Sequence, residues 1–389
     1  MKVYDAIIVG LGAMGAAALY QLADRGALVL GLDRYGPPHD LGSSHGDTRV
    51  TRLAIGEGEH LTPLVKRSHA LWRKIERETG ADLFTANGEL IISSAGRTAT
   101  THVENFFDNT LAAARDHGIA HEILDAAGIR NRFPQFAVRD NEIGYFEPDA
   151  GFVRPEAAIR AQLRLARRFG AEMHTSETFL GWRREGKTVR VTTDKGSYVA
   201  KKLILAAGPW LPEILDEGFS VPLRVLRQVL FWFDVPQRIE RFAPERCPVY
   251  IWELQTGTQV IYGFPAVDGA RGGVKIATEQ YDAETTPDSI ARAVSDDEIR
   301  AMHAHYVAPY LPDLSPVCVR AATCLYTVTP DAGFVIDRHP QNDSVIVVSA
   351  CSGHGFKHSA AIGEALAELV LDGASRMDLE DFRLDRFSR

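Results

Sequence analysis

The sequence predicts a two-domain α/β protein of mixed (α+β) type, and three observations predict it. The chain opens with a strand, a glycine-rich turn and a helix. Between residues 221 and 280 several strand-like segments follow one another without a helix. At 389 residues the chain also exceeds one ordinary core, since domains run to about 150 residues. Hydrophobic residues make up 45% and charged residues 24%, a balance that excludes disordered and fibrous architectures.

Residues 3–9 (VYDAIIV) form a short β-branched run of the kind found in buried parallel strands. Gly10-Leu11-Gly12-Ala13-Met14-Gly15 follows, then a helical stretch over 14–25 that Gly26 closes. A second apolar run, 27–32, ends in Asp33, 18 residues beyond Gly15. In this order the pieces carry a specific chemistry. Gly10 permits the tight turn, Gly12 lets a pyrophosphate approach the backbone, and Gly15 lets the helix sit close to the sheet. The helix N-terminus offers unpaired N–H groups to phosphates, and Asp33 is placed to accept from ribose hydroxyls. A dinucleotide is predicted. The motif does not separate FAD from NAD.

Residues 37–60 form a Gly/Ser/His/Arg-rich loop, unusually long to be idle. Helical periodicity returns at 63–79, and 84–94 reads as a hairpin around Asn87-Gly88. A helix is predicted over 101–117, turns over 143–154, and a helix over 155–169. Strands are predicted at 171–178, 188–193 and 197–199, with a separate buried strand at 202–208. The strands at 224–234, 248–254, 259–264 and 273–278 make the antiparallel sheet of a second domain. A helix near 295–309, strands at 333–337 and 344–350, and a long helix over 358–372 complete the chain.

Lys and Arg total 43 against 51 Asp and Glu, a net charge of −8, which argues against nucleic acid as the partner. Four scattered cysteines (Cys247, Cys318, Cys324, Cys351) are too few for a secreted disulfide scaffold or a zinc site. The first residues lack the features of a signal peptide, and no window reaches 18 uninterrupted apolar residues. A cytoplasmic protein with no membrane partner is expected. His354 and His358 have the i,i+4 spacing of a metal site, but no acidic third ligand is near and no metal is expected.

Several motifs occur together in a fixed order: GLGAMG with Asp33, GSSHGDTRVTR (42–52), GEG (56–58), EPDAGFVRPE (147–156), IYGFP (261–265), GGVK (272–275), ATCLYT (322–327) and SGHGFKHS (352–359). With them the chain resembles, over essentially its whole length, the monomeric sarcosine oxidase and N-methyltryptophan oxidase family of D-amino-acid-oxidase-like flavoproteins. The resemblance implies FAD and a Rossmann-like FAD-binding domain built from 1–60, 147–220 and 318–389. Interleaved with it is an antiparallel-sheet substrate domain, 61–146 and 221–317. A monomer that takes a small amino-acid substrate and O2 is implied as well.

The resemblance also implies roles for particular residues. Cys324 matches the thiolate bonded covalently to the flavin, with His45 and Arg49 as the positive charges that make such a thiol acidic. Arg52 and Lys357 match the clamp on the substrate carboxylate, and Lys275 matches the lysine that helps oxygen accept electrons. Tyr262 and Tyr326 match aromatic walls of the substrate pocket. Cofactor contacts are implied at Met14, Arg34, Gly42, Ser43, Ser44, Gly208, Trp210, Gly353, His354, Gly355 and Phe356, besides Gly10, Gly12, Gly15 and Asp33. The implied reaction oxidises a secondary-amine amino acid, N-methylated or cyclic, to an imine and makes hydrogen peroxide. Rival readings are a fructosyl-amino-acid or pipecolate oxidase on the same scaffold, and a flavin- or NAD-binding regulator without turnover.

Three departures bear on the substrate. Leu53-Ala54-Ile55 stands where the family often carries an imidazole and an aromatic side chain. A histidine just past the oxygen-activating lysine appears here as Thr278 or Glu279, and an aromatic residue appears as His358. They fit a pocket other than sarcosine's.

Overall fold

The computed structural model describes residues 2–94, 103–215, 219, 221–254 and 259–388. The strand Val3–Val9 is the hub of the first sheet, pairing in parallel with Val29–Leu32 on one side and Ser197–Leu205 on the other. Glu172–His174 extends the sheet beyond Val29–Leu32, and Asn342–Ser349 joins Ser197–Leu205 in parallel. Both faces of this sheet are covered, so its central strands are continuous apolar runs rather than alternating ones. The alanine-rich helix Ala13–Asp24 packs on Pro155–Arg168 and Ser359–Leu371. The last contact is so close that a Cβ on Gly363 would lie 2.4 Å from the Ala17 Cβ.

The second sheet runs Cys318–Val328, Arg224–Phe233, Val274–Thr278, Val260–Gly263, Val249–Glu253, Glu89–Ser94, Glu142–Glu147 and Glu122–Asp125. Its pairings are antiparallel except Val249–Glu253 on Glu89–Ser94. One face buries Phe231, Phe233, Tyr250 and Trp252; the other walls the cavity described below. A small sheet of Arg49–Thr51, Gly151–Val153 and Phe84–Thr85 bridges the two.

Several local expectations change. Residues 84–94 are not a hairpin: Phe84–Thr85 pairs with Gly151–Val153, while Glu89–Ser94 pairs in the large sheet. The Asn87 side chain donates to Cys247 O at 2.8 Å, so the Asn-Gly turn hands the chain from one sheet to another. Residues 143–154 are chiefly two strands, Glu142–Glu147 and Gly151–Val153, rather than turns. The segments 197–199 and 202–208 merge into one strand, Ser197–Leu205, and Phe179–Glu185 is a further strand. Of the helix expected over 101–117, residues 101–102 lie outside the described ones, and the helix spans Phe106–Asp116. The helix expected near 295–309 starts at Asp296 behind a Ser295/Glu298 capping box and turns into a π-helical segment at His303–Val307. The strand Cys318–Val328 pairs along Arg224–Phe233 in the second sheet, although its residues were expected with the cofactor domain.

Candidate active site

The glycines of the first turn do different work. Gly10 has φ +88°, and a Cβ there would lie 2.5 Å from Ala206 O. A Cβ on Gly15 would lie 1.7 Å from Gly10 O, so this glycine belongs to the packing of helix on turn. Gly12 has no heavy atom within 4 Å of its Cβ position and lines a cavity of about 380 Å3. Open space at the start of a helix is what a pyrophosphate requires. The carboxylate of Asp33 accepts from Leu11 N at 2.7 Å and Tyr35 N at 2.8 Å. Burial raises its pKa, and those two N–H groups oppose the rise.

Arg34, Gly42, Gly208 and Trp210 line the same end. Asp288 ties two of them together, accepting from Arg34 Nη1 at 2.9 Å and Trp210 Nε1 at 3.1 Å. Further in, Glu156 accepts from Gly46 N at 2.6 Å and Asp47 N at 3.2 Å, which shapes the loop behind Ser43 and Ser44.

Cys324 lies on the buried half of its strand, facing this loop. Arg49 Nη2 is 3.5 Å from its sulfur, and the same nitrogen donates to Ser43 O at 2.7 Å. Burial alone would raise the thiol's pKa, but the His45 imidazole and the charges of Arg49 and Lys275 outweigh it and bring the thiol down to about 7. Cys247 is pushed up to about 12 by burial, and burial raises Cys318 and Cys351 as well. One thiol of the four is acidic.

Lys275 is buried on Val274–Thr278 with Nζ donating to Gly46 O (2.7 Å), Thr48 O (2.9 Å) and Thr48 Oγ1 (3.3 Å). Burial and the nearby Arg49 push its pKa well below the ordinary lysine value. The three oxygens match the three donors of an ammonium and oppose that fall.

At the other end Arg52 and Lys357 meet across Glu57. Arg52 Nη2 donates to Glu57 Oε2 at 2.6 Å, and Lys357 Nζ donates to Glu57 Oε1 at 3.1 Å. The Arg52 guanidinium also lies over the Phe106 ring at 5.0 Å. Burial brings the Lys357 ammonium down to about 8 against the opposing pull of Glu57. Glu89 reaches Arg52 Nη1 at 3.4 Å from beneath, and burial drives its carboxyl up to about 8. Glu147, accepting from Leu53 N and Ala54 N, holds the chain that follows Arg52.

The loop before the last helix closes the cavity. Gly353 has φ +84°, and a Cβ on Gly355 would strike Ala350 O at 1.8 Å. His354 Nε2 pairs with Ala332 O at 2.9 Å, and Phe356 stacks on Trp72. His358 is fully buried against Phe334, away from the cavity lining. Tyr262 and Tyr326 face one another on the cavity wall, and burial pushes the Tyr262 phenol up to about 12.

The residues singled out from the sequence therefore converge. Those named for cofactor, clamp and pocket wall line one cavity, along with Met14, Arg49 and Cys324, while Gly15, His45 and Lys275 stand just behind its lining. Glu57, Glu89, Glu156, Glu279 and Asp288 were not singled out for the site, although Glu279 had been noted as a departure. Glu57 and Glu156 sit in the motifs GEG (56–58) and EPDAGFVRPE (147–156), but neither motif marks them locally for a role. Among the described residues no group of three His, Cys, Asp or Glu is arranged to hold a metal, and no helix is long and apolar enough to cross a membrane.

Residues 5–369 match the family model described as FAD dependent oxidoreductase (DAO). The chain belongs to that family. It is 42% identical over 373 residues to the monomeric sarcosine oxidase of Streptomyces avermitilis, covering 96% of this chain and 94% of the relative. It is 36% identical over 388 residues to the N-methyl-L-tryptophan oxidase of Escherichia coli, covering 99% of each. Among solved structures, NikD, an unusual amino acid oxidase essential for nikkomycin biosynthesis, superposes with a TM-score of 0.85 at 25% identity, over 98% of each chain. The L-proline dehydrogenase of P. horikoshii shares the fold, with a TM-score of 0.83 at 20% identity over 100% of this chain and 98% of that one. A DAO-family member with oxidase relatives is an FAD-dependent oxidoreductase, which sets aside the regulator without turnover.

Proposed function

We propose that the protein oxidises an amino acid carrying a secondary amine, N-methylated or cyclic, and reduces O2 to hydrogen peroxide. The observation that carries this is the pair of buried cations, Arg52 and Lys357, converging on the cavity that also holds the one acidic thiol. FAD, when bound, would supply a two-electron acceptor for the carbon beside the amine nitrogen and a reductant for oxygen.

The chain's own residues do the rest. Gly12 and the helix start would receive the pyrophosphate, and Asp33 the ribose. Cys324 would tether the cofactor as a thioether, the thiol giving up its proton and the cofactor carbon one C–H bond, with the two electrons passing on to O2. A substrate carboxylate cannot enter an apolar cavity unpaired, and Arg52 and Lys357 would supply its partners while Glu57 shares them. With Glu89 neutral below about pH 8, the clamp keeps a net positive charge for an incoming anion. Tyr262 and Tyr326 would wall the reacting carbon. Lys275 would hold a proton, and so a positive charge, where oxygen gains electrons, an electrostatic contribution that develops with the reaction. We divide the chain between the two large sheets, with Cys318–Val328 assigned to the substrate side, and take it as a monomer because a relative is named a monomeric sarcosine oxidase.

Purified protein should be yellow and should release peroxide in a screen of N-methyl, cyclic and glycated amino acids. Lys275→Met should slow reoxidation by O2 roughly a hundredfold or more while flavin reduction under anaerobic conditions changes far less. Colourless protein that binds NADH instead would refute the proposal.

A further inference from the structure

We propose that Glu279, with Tyr281, Tyr262 and Tyr326, forms a cation subsite in the substrate cavity, so that the amino acid oxidised carries a second positive charge on its side chain. The inference rests on the secondary-amine reading above and specifies the substrate class within it.

The subsite is built by the backbone. Strand Val274–Thr278 ends in the cavity wall, and the fully buried Gln228 grips the next residue but one. Gln228 Nε2 donates to Gln280 O at 2.5 Å, and Gln280 N donates to Gln228 Oε1 at 3.0 Å. With Gln280 pinned at both polar groups, its two neighbours are brought together on one side. Tyr281 Oη donates to Glu279 Oε2 at 3.4 Å. Of the two residues that replace the family's histidine, Thr278 is buried within the strand and Glu279 lines the cavity.

Aromatic rings complete the surround. Burial raises the pKa of the Tyr262, Tyr281 and Tyr326 phenols, and the negative charge of Glu279 adds to the rise in each. Gly353 lets the cofactor-side loop approach them: a Cβ there would lie 3.0 Å from Tyr326 Cε2 and 3.5 Å from Tyr281 Oη. A cavity-lining carboxylate with tyrosine side chains beside it is the chemistry that recognises an ammonium or guanidinium ion. Arg52 and Lys357 pair instead with Glu57, so the cavity presents positive charge at one place and negative charge at another. An amino acid with a basic side chain has the matching polarity.

The test compares two substrates of nearly equal length, Nα-methyl-lysine and Nα-methyl-norleucine, by peroxide release. The flavin-loaded wild type should prefer the lysine derivative in kcat/KM by roughly 10- to 100-fold, the scale of one charge-assisted hydrogen bond. In Glu279→Gln the ratio should fall to near one, and Glu279→Asp should recover part of it. A wild-type ratio near one, or a ratio that survives in Glu279→Gln, overturns the subsite while leaving the amine-oxidase reading intact. If neither compound nor any other N-methyl or cyclic amino acid reduces the flavin, the amine-oxidase reading fails and the subsite with it.

Discussion

Arg49 Nη2 lies 3.5 Å from the sulfur of Cys324, and the same sulfur is 3.5 Å from Ser43 O. The thiol can donate to that carbonyl; the thiolate can only accept, and the guanidinium is its donor. Flavin attachment should therefore rise with pH through about 7, following thiolate formation. In Arg49→Gln the same rise should appear roughly one to two pH units higher, since a nearby opposite charge shifts a pKa by that much. The fraction of flavin left on the chain after acid precipitation measures both. Cys324→Ser should retain none and Cys351→Ser all of it; attachment surviving in Cys324→Ser would remove the tether from this residue.

Lys357 faces Glu57 at 3.1 Å and loses its proton near pH 8. If the two cations clamp a substrate carboxylate as proposed, both would act below that pH and Arg52 alone above it. KM should therefore climb as pH rises past about 8, with kcat less affected. Lys357→Met should raise KM roughly 10- to 100-fold at neutral pH and flatten this part of the profile. Lys357→Arg, whose charge does not titrate in this range, should leave only the shallower climb that the ionisation of Glu89 beside Arg52 causes, with KM closer to the wild type. A climb of equal steepness in Lys357→Met would place the titrating group elsewhere.

What could be read ahead in the chain followed the range of the forces involved. Gly10, Gly15 and Asp33 were legible because a tight turn and a helix packed on it are local demands that few residues satisfy. Asp288 was not, because it meets Arg34 across 254 positions of sequence. The same holds for Asn87-Gly88, which has the composition of a hairpin turn. Which strands flank it was settled by distant partners, Gly151–Val153 and Val249–Glu253. Cys318–Val328 escaped notice because its first half is exposed at Val319, so no alternation marks it. Arg52 and Lys357 could be assigned as a pair by resemblance, but the carboxylates that set their charge, Glu57 and Glu89, come into view only when the sheets are assembled.

Glu89 makes a prediction about stability. Its carboxyl is fully buried beneath Arg52, and burial holds its pKa near 8 in the fold against about 4.5 when exposed. The folded state thus binds this proton more tightly than the unfolded state. The stabilisation is complete below the unfolded value and is lost as pH rises from there through about 8. Glu89→Gln imitates the neutral form at every pH. Its melting temperature should match the wild type near pH 5 and exceed it near pH 9 by roughly a few degrees. A variant less stable at pH 9 than the wild type would mean that the charged carboxylate is needed by Arg52.

Gly12 and Gly15 separate cofactor binding from folding. Gly12 has φ −72°, open to any residue, and its Cβ position faces empty space in the cavity. Alanine there should leave the apoprotein's melting temperature within about a degree or two, because no core contact changes. Its methyl group would instead stand at the helix start where the phosphates belong, so affinity for FAD should drop roughly tenfold or more, the worth of a lost charge-assisted hydrogen bond. At Gly15 the added Cβ would lie 1.7 Å from Gly10 O, a backbone atom that cannot give way. Alanine there should destabilise the apoprotein itself by about 1–3 kcal/mol or more, as overpacking does. Both comparisons are made in the Cys324→Ser background, where FAD binding is reversible, by thermal melts without flavin and titration with it. Loss of stability in Gly12→Ala equal to that in Gly15→Ala would show that the turn is packed throughout and that the space above Gly12 is not reserved for the cofactor.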